Sequence, residues 1–351
     1  MEIKLETLTP LWTGGVEAGK VDRIHETGIL GSLRWWFEVL VRGLGGKACD
    51  PSKGSCGFDE AKYRKSEAED ERQRLRDAGL CDVCQVFGAT GWRRRFQVRV
   101  VDETQPDESV QSTIQVKKDS HTSTWYFPQN LDDKPRSGNF TLHIQSLDRA
   151  FSPDIIAGLI QFIADWAALG ARAQMGFGVV KPVNGRLATQ QLCDYIVSVA
   201  GQQTYPDLPS LQNIFLARIK PRNDGQFSDT NTFTLKYDLR RLFANNRSLR
   251  HFMMGTVKGQ RIAAKVKMSR PYNNGKEMRV WGWIPEQASV YRDSLNRNAV
   301  VQAIHQHLQA NYEIQVWREM NSSRYTVTPD NGNAEAFLKS LLCLKGEENA
   351  V

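Results

Sequence analysis

The chain has little that would send it into or across a membrane. Met1-Glu-Ile-Lys-Leu-Glu carries neither the basic opening nor the apolar run of a secretion signal, and the most apolar stretch, Ile155 to Ala171, is broken by Gln161 and Asp165. These absences predict a cytoplasmic protein with no membrane partner. Cysteine is scarce, at six in 351 residues, and in a reducing compartment six thiols do not make a disulfide framework. The clustering of four of them therefore needs another reason. The sequence also lacks a Walker loop, an H-E-x-x-H helix, a G-x-S-x-G elbow and a paired-carboxylate metal site, so the commoner enzyme chemistries are not advertised.

What is present is enough apolar residue, 40%, for ordinary cores, and a length that suits about two domains. Lys plus Arg outnumber Asp plus Glu by 46 to 39, a net +7 that favours a polyanionic partner without proving one. Ile3 and Leu5 alternate with polar neighbours as in a half-buried strand, and apolar residues from Gly28 to Leu44 recur at helical spacing beside an Arg34, Glu38, Arg42 charge ladder. Alternating patterns then predict strands at Phe96 to Val100 and Phe140 to Ile144, with a protrusion between them. A helix follows from Pro153, and Val179-Val180 makes a last strand. The order strand, helix, strand, strand, helix, strand is the ferredoxin-like pattern, with the helices on one sheet face and the other face free. It recurs after Gly201 to Ser210: a strand at Ile214 to Ile219, a helix at Asp238 to Met254, strands at Lys265 to Ser269 and Met278 to Ile284, a helix at Ser289 to Leu308 and a strand at Ile314 to Trp317. Ala334 to Leu342 adds a terminal helix. The fold class is thus α+β, two tandem ferredoxin-like domains at 1–187 and 188–351, the first with a Cys-bearing insertion at 46–90. Within that insertion the charge-rich Asp59 to Asp77 reads as an exposed helical or mobile segment.

Cys81-Asp-Val-Cys84 has the spacing by which two thiolates share one tetrahedral metal, and Cys49 and Cys56 complete a set of four suited to structural zinc; buried free thiols are the alternative. Cys193 and Cys343 stand alone and read as core. Leu169 to Gly178, L-G-A-R-A-Q-M-G-F-G, joins a helix to a strand. Gly170, Gly176 and Gly178 there permit positive φ and close backbone approach, and Arg172 and Gln174 add a charge and an amide, so the loop is a phosphate-cradle candidate. Arg93, Arg94 and Arg95 form a basic cluster before the second strand. From Lys258 to Arg279 seven cations face one acid, and Lys265 and Lys267 share a strand side that would bring them together with Trp281 and Trp283, as in sheets that stack bases and hold phosphates. Each tryptophan also suits a core, and Trp35 and Trp36 read as core or interface. Asp22-Arg23-Ile24-His25 holds a possible acid, base and cation for phosphodiester cleavage.

T-P-L-W-T-G-G (Thr9 to Gly15), G-S-L-R-W-W-F-E (Gly31 to Glu38), C-D-V-C-Q-V-F-G-A-T-G-W (Cys81 to Trp92) and the glycine-rich loop together resemble the RAMP family of CRISPR proteins. K-V-K-M-S-R-P-Y (Lys265 to Tyr272) and E-M-R-V-W-G-W-I-P (Glu277 to Pro285) extend the resemblance into the second half, toward the RAMP proteins that form the first-numbered subunit of Cmr, or type III-B, effector complexes. The resemblance implies two ferredoxin-like domains, guide RNA, target RNA and other RAMP subunits as partners, and a non-catalytic position near the 3' part of the guide. Arg34, Arg93, Arg94, Arg95, Gly170, Arg172, Gln174, Gly176, Gly178, Lys265, Lys267 and Arg270 are the expected RNA contacts, with specificity left to base pairing. In target-cutting relatives the catalytic aspartate lies in the first strand-to-helix loop; Asp22 occupies such a loop but in a different setting. Relatives that process the guide precursor use a histidine, which keeps Asp22 and His25 as the residues of an alternative, metal-independent endoribonuclease.

Overall fold

The computed structural model describes every residue except 18–19, 51, 119, 128–132, 258, 260, 292–294, 325–331 and 343–351. Cys343 and Lys258 lie outside the described residues. The first half runs β1 (Glu2–Thr7), α1 (Glu26–Gly43), short helices α2 (Glu60–Lys65), α3 (Glu71–Asp77) and α4 (Asp82–Phe87), then β2 (Phe96–Asp102), a brief β3 (Gln105–Pro106) and the hairpin β4 (Thr113–Lys118) and β5 (His121–Tyr126). It ends with β6 (Arg136–Ser137), β7 (Asn139–Ser146), α5 (Asp154–Trp166) and β8 (Val180–Pro182). The second comprises α6 (Gln190–Ser198), β9 (Ile214–Lys220), α7 (Asp229–Arg241), α8 (Arg247–Met254), β10 (Val266–Met268), β11 (Met278–Trp283), α9 (Arg297–Asn311), β12 (Glu313–Arg318) and α10 (Ala334–Leu342).

Two four-stranded antiparallel sheets organise these elements, in the orders β2-β7-β1-β8 and β10-β11-β9-β12. In each the first and third strands of a β-α-β-β-α-β unit are central, which is the ferredoxin-like arrangement. β2 alternates as its sequence requires, burying Phe96, Val98 and Val100 and exposing Gln97, Arg99 and Val101. α5 is buried almost all round, as a helix must be when it is enclosed on every side, and its one polar intrusion is satisfied: Gln161 donates to Asp165 and accepts from the Leu187 amide.

The expectation of a free sheet face fails for the second sheet. One face, with Phe215, Ala217, Ile219, Val266, Met268 and Val280, forms a core with α7 and α9. The other carries Ile214, Leu216 and Trp281 into the core of α1 and α5. Lys265, Lys267, Trp281 and Trp283 do share a face, but that face is turned onto the first ferredoxin-like unit. Two cations on it terminate α5: Arg218 donates to the Asp165 carbonyl at 2.9 Å and Arg279 to the Ala167 carbonyl at 3.0 Å. Carbonyls at a helix C-terminus have no partner within the helix and carry its negative dipole end, so arginines are suited to both needs. Arg279 is thereby removed from the surface.

Boundaries moved where caps outweighed periodicity. The helix expected at Asp238 to Met254 is two helices: α7 begins behind a Ser228–Asn231 capping box, and α8 restarts where the Asn246 side chain accepts from the Leu249 amide. The helix expected from Ser289 starts at Arg297, capped by Asn296. The Asp59 to Asp77 segment forms α2 and α3, each with an aspartate cap, and α3 anchors through a fully buried Leu75.

Candidate nucleic-acid interface and candidate metal centre

The glycine-rich loop leaves α5 at Ala167 and returns to β8. Gly170, Gly176 and Gly178 adopt φ of 78°, 91° and 93°, as expected, but the reason is internal. A Cβ on Gly178 would lie 1.9 Å from the Leu169 carbonyl oxygen, and one on Gly170 would lie 2.4 Å from that of Trp12. These glycines are required by the protein's own backbone, so the ligand-approach explanation is not needed for them. Gly176 abuts Arg270 in the same way. Arg172 is left-handed without being glycine, with φ 55°, and its guanidinium carbon lies 3.5 Å from the Trp12 ring centroid.

Gln174 leads from this loop into a cleft of about 1190 Å³. Its walls come from α1 (Trp35), β5 (Thr124, Trp125, Tyr126), α7 and α8 (Lys236, Arg240, Arg247, Arg250, His251), residues 255–257 and 262–264, and the second sheet with the residue before β10 (Lys265, Lys267, Trp283). Six of the lining residues are Lys or Arg and none is Asp or Glu. Among the described residues, none of the six has a carboxylate within ion-pair distance. Lys236 donates instead to the Gln174 carbonyl at 2.6 Å, and the Lys265 ammonium sits 3.6 Å from the Phe252 ring centroid and 5.1 Å from that of Trp283. Lys267 lies 4.7 Å from the Trp35 centroid. Burial pushes Lys236, Lys265 and Lys267 down to about 8 each, Lys236 with added repulsion from Arg240. Burial, then Arg240, Arg250 and Arg247, also hold His251 below its ordinary value. The groove thus combines uncompensated positive charge with aromatic walls.

Lys267 and Trp35 also line a neighbouring cavity of about 300 Å³, with Thr27, Gly28, Gly31, Ser32 and Trp36 of α1, Ala168, Gly170, Ala171 and Ala173 of the loop, and Trp281.

The four insertion cysteines converge. Their sulfurs all lie within 4.8 Å of one another, and Cys49 Sγ to Cys84 Sγ is 3.7 Å. The Cys81 amide donates to Cys56 Sγ and the Cys84 amide to Cys81 Sγ, both at 3.4 Å, at the turn that opens α4. Hydrogen bonds from Cys81 and Cys84 hold the Cys49 thiol well below its ordinary value. This set can hold one metal ion, and its all-sulfur tetrad suits a tetrahedral soft or borderline cation. Arg34, expected at RNA, is spent here: it donates to Cys84 Sγ at 3.1 Å, to the Gly88 carbonyl at 3.1 Å and to Glu38 at 3.1 Å.

Residues 4–181, just over half of the chain, match the family model described as RAMPs, the RAMP superfamily. The chain belongs to the RAMP superfamily. No curated protein matches it. Among solved structures it is similar to Cmr1 from Pyrococcus furiosus in its apo form, at 13% identity and TM-score 0.44, over 87% of this chain and 96% of that one. Two chains of type III-B Cmr-beta complexes bound to cognate target RNA match at 11% identity, TM-score 0.46, 88% and 99% coverage, and at 12%, 0.42, 87% and 98%. The complex of the former also carries AMPPnP and was imaged in the presence of single-stranded DNA.

In this RAMP protein the expected contacts divide. Gln174, Lys265 and Lys267 line the cleft, and Gly170 lines the smaller cavity. Arg270, in contrast, is 2% exposed, paired with Asp229 and enclosed by Phe127, Phe177 and Phe233, which makes it an internal link. Arg95 pairs with Asp148 and Glu71. Arg93 donates to the Leu147 carbonyl, and neither it nor Arg94 lines either cavity. Cys193 is buried, as expected. Asp22 Oδ1 and His25 Nε2 are 2.7 Å apart, and that hydrogen bond lowers the Asp22 carboxyl below its ordinary range. Arg23 turns away, with its guanidinium on the Glu26 carboxylate at 3.0 and 3.2 Å. Sequence reasoning missed Lys236, Arg240, Arg247, Arg250 and His251, and set Trp35 aside as core or interface. The signal was there, because residues 239–276 hold ten Lys or Arg and no acid, a longer one-signed run than the window starting at Lys258.

Proposed function

We propose that this chain is a non-catalytic, cytoplasmic RNA-binding subunit of a type III-B CRISPR (Cmr) ribonucleoprotein, contacting guide RNA and/or target RNA near the 3' end of the guide in antiviral defence. The observation that carries the RNA-binding reading is the cleft: six cations, no carboxylate, and Trp35, Trp283 and Tyr126 on its walls. Phosphates answer the unpaired charge, and the aromatic rings answer unstacked bases without reading sequence. Membership of the RAMP superfamily and the motifs shared with first-numbered Cmr subunits support the assignment to that complex. Gln174, Lys265 and Lys267 are its contacts from the expected set, with Arg240, Arg247 and Arg250 added, and Arg172 beside them in the loop. Zinc is the ion for Cys49, Cys56, Cys81 and Cys84, given four sulfur donors and amide-to-sulfur hydrogen bonds.

The test is anisotropy of a labelled single-stranded RNA across a salt series. Arg250→Ala and Lys267→Ala each lower affinity and flatten the salt slope by about 0.7 for every phosphate left unneutralised. Unchanged affinity in both rejects the cleft, and crosslinking in the assembled complex identifies which strand lies there. One observation favours a second reading, a metal-independent endoribonuclease acting on guide precursor or target RNA: Asp22 Oδ1 and His25 Nε2 lie 2.7 Å apart. Cleavage by the purified protein that disappears in both His25→Ala and Asp22→Ala would establish it.

A further inference from the structure

The smaller cavity beside the cleft has no part in the reading above, yet it opens at Lys267, which lines both. Its shape comes from small residues at two places, Gly28, Gly31 and Ser32 on α1 and Gly170, Ala171 and Ala173 in the loop. The rim is fixed, because Ser32 Oγ accepts from the Gly170 amide at 2.8 Å and lies 3.2 Å from the Gly28 and Gly170 carbonyl oxygens. Trp281 is 2% exposed and lines the cavity, and its indole N–H has no acceptor among the described residues. Nor has the Lys267 ammonium any hydrogen-bond or carboxylate partner among them.

Gly31 supplies a separate clue. Glycine inside a helix is destabilising relative to alanine unless something requires it. At Gly28 the requirement is plain, since an added Cβ would lie 2.8 Å from the Thr13 Cβ. At Gly31 an added Cβ meets nothing within 4 Å. No packing contact requires this glycine, which is exposed and lines the cavity.

We propose that this cavity takes one nucleobase turned out of the RNA strand that the cleft holds, with its ring among Trp35 and Trp281 and its phosphate at Lys267. The inference rests on the cleft reading and adds to it. A volume of about 300 Å³ is at the small end for ligand pockets, the scale of one base, and a base that enters it is unpaired. Occupation fixes the register of the strand against the protein, which backbone contacts alone do not.

The experiment uses the purified full chain and a single-stranded RNA carrying 5-iodouridine. The wild type crosslinks to Trp281, which lines the cavity and not the cleft, and Gly31→Leu, which fills the cavity, abolishes that crosslink. Affinity in Gly31→Leu falls roughly tenfold, the scale of one base no longer stacked on the protein, while the salt slope stays that of the wild type because the phosphate contacts remain. Thermal melting establishes that the variant is folded. Dimethyl sulfate probing of wild-type protein on an adenine-rich strand gives a reading independent of any variant: one base protected well beyond its neighbours. If the RNA binds but crosslinks elsewhere, no base is singled out, or Gly31→Leu leaves crosslink and affinity unchanged, the cavity proposal is overturned and the cleft reading stands. If the wild type binds no RNA, both fall.

Discussion

Lys236, Lys265 and Lys267 are lysines kept where a lysine is costly. Each ammonium is partly stripped of water, and none has a carboxylate to answer it among the described residues, so all three titrate near 8. With folded values below the ordinary value near 10.4, the unfolded chain binds more protons between about pH 8 and pH 10.4, and stability contributed by these groups rises through that window. Below it the cost is carried in full. Lys267→Met is therefore expected to raise the melting temperature of the free protein at pH 7 while weakening RNA binding, a stability gain at the expense of function. The same titration governs affinity. RNA binding to the wild type weakens as pH rises from 7 to 9, and Lys267→Arg flattens that profile because a guanidinium stays charged. A wild-type profile as flat as the variant's would show that these amines do not meet the phosphates. At this scale the sequence was half legible: Gln174, Lys265 and Lys267 follow from a loop and an alternating strand, whereas Trp35 on the cleft wall is set by how two units meet, which no local pattern records.

Among elements, the Cys-bearing insertion has the least core of its own. α2 buries nothing and α3 only Leu75, so what secures their base is α4, whose first turn holds Cys81 and Cys84. Bringing four thiolates together without a cation would leave their charges opposed, and a bound ion converts that repulsion into folding free energy. The expected result is about one zinc per chain by elemental analysis, absent from Cys84→Ser, which also melts at a lower temperature and is cut early by protease between Asp59 and Asp77. A metal-free protein with unchanged melting would refute it. Spacing made this centre readable, because C-x-x-C dictates local geometry; the role of Arg34 against its sulfurs was not readable, since it depends on α1 lying beside α4. The same division explains α7 and α8. Apolar periodicity ran across both, but the Asn246 cap and the Ser228 box decided where backbone donors found partners.

For the whole molecule, the second sheet is the decisive element, enclosed by its own helices on one face and by α1 and α5 on the other. The tandem pattern was legible because each six-element unit is encoded locally, but the turning of its polar face inward was not, since Arg218 and Arg279 reveal their partners only when α5 ends against them. That packing gives the cleft walls on several sides: the β5 flank, α7 and α8, the second sheet, and Trp35. On the proposed RNA-binding reading, such a groove reaches a strand from the base side as well as the phosphate side. A duplex presents only its phosphate exterior to a groove of this kind, and its stacked bases are withheld from Trp35 and Trp283. Single-stranded RNA is therefore expected to bind more tightly than a duplex of the same sequence, by roughly tenfold for each base stacked on the protein, and the gap persists at high salt where the electrostatic share has been screened. Competition between the two at low and high salt measures it. Equal affinity at both would place the RNA on the outer surface and leave the enclosed groove without a role.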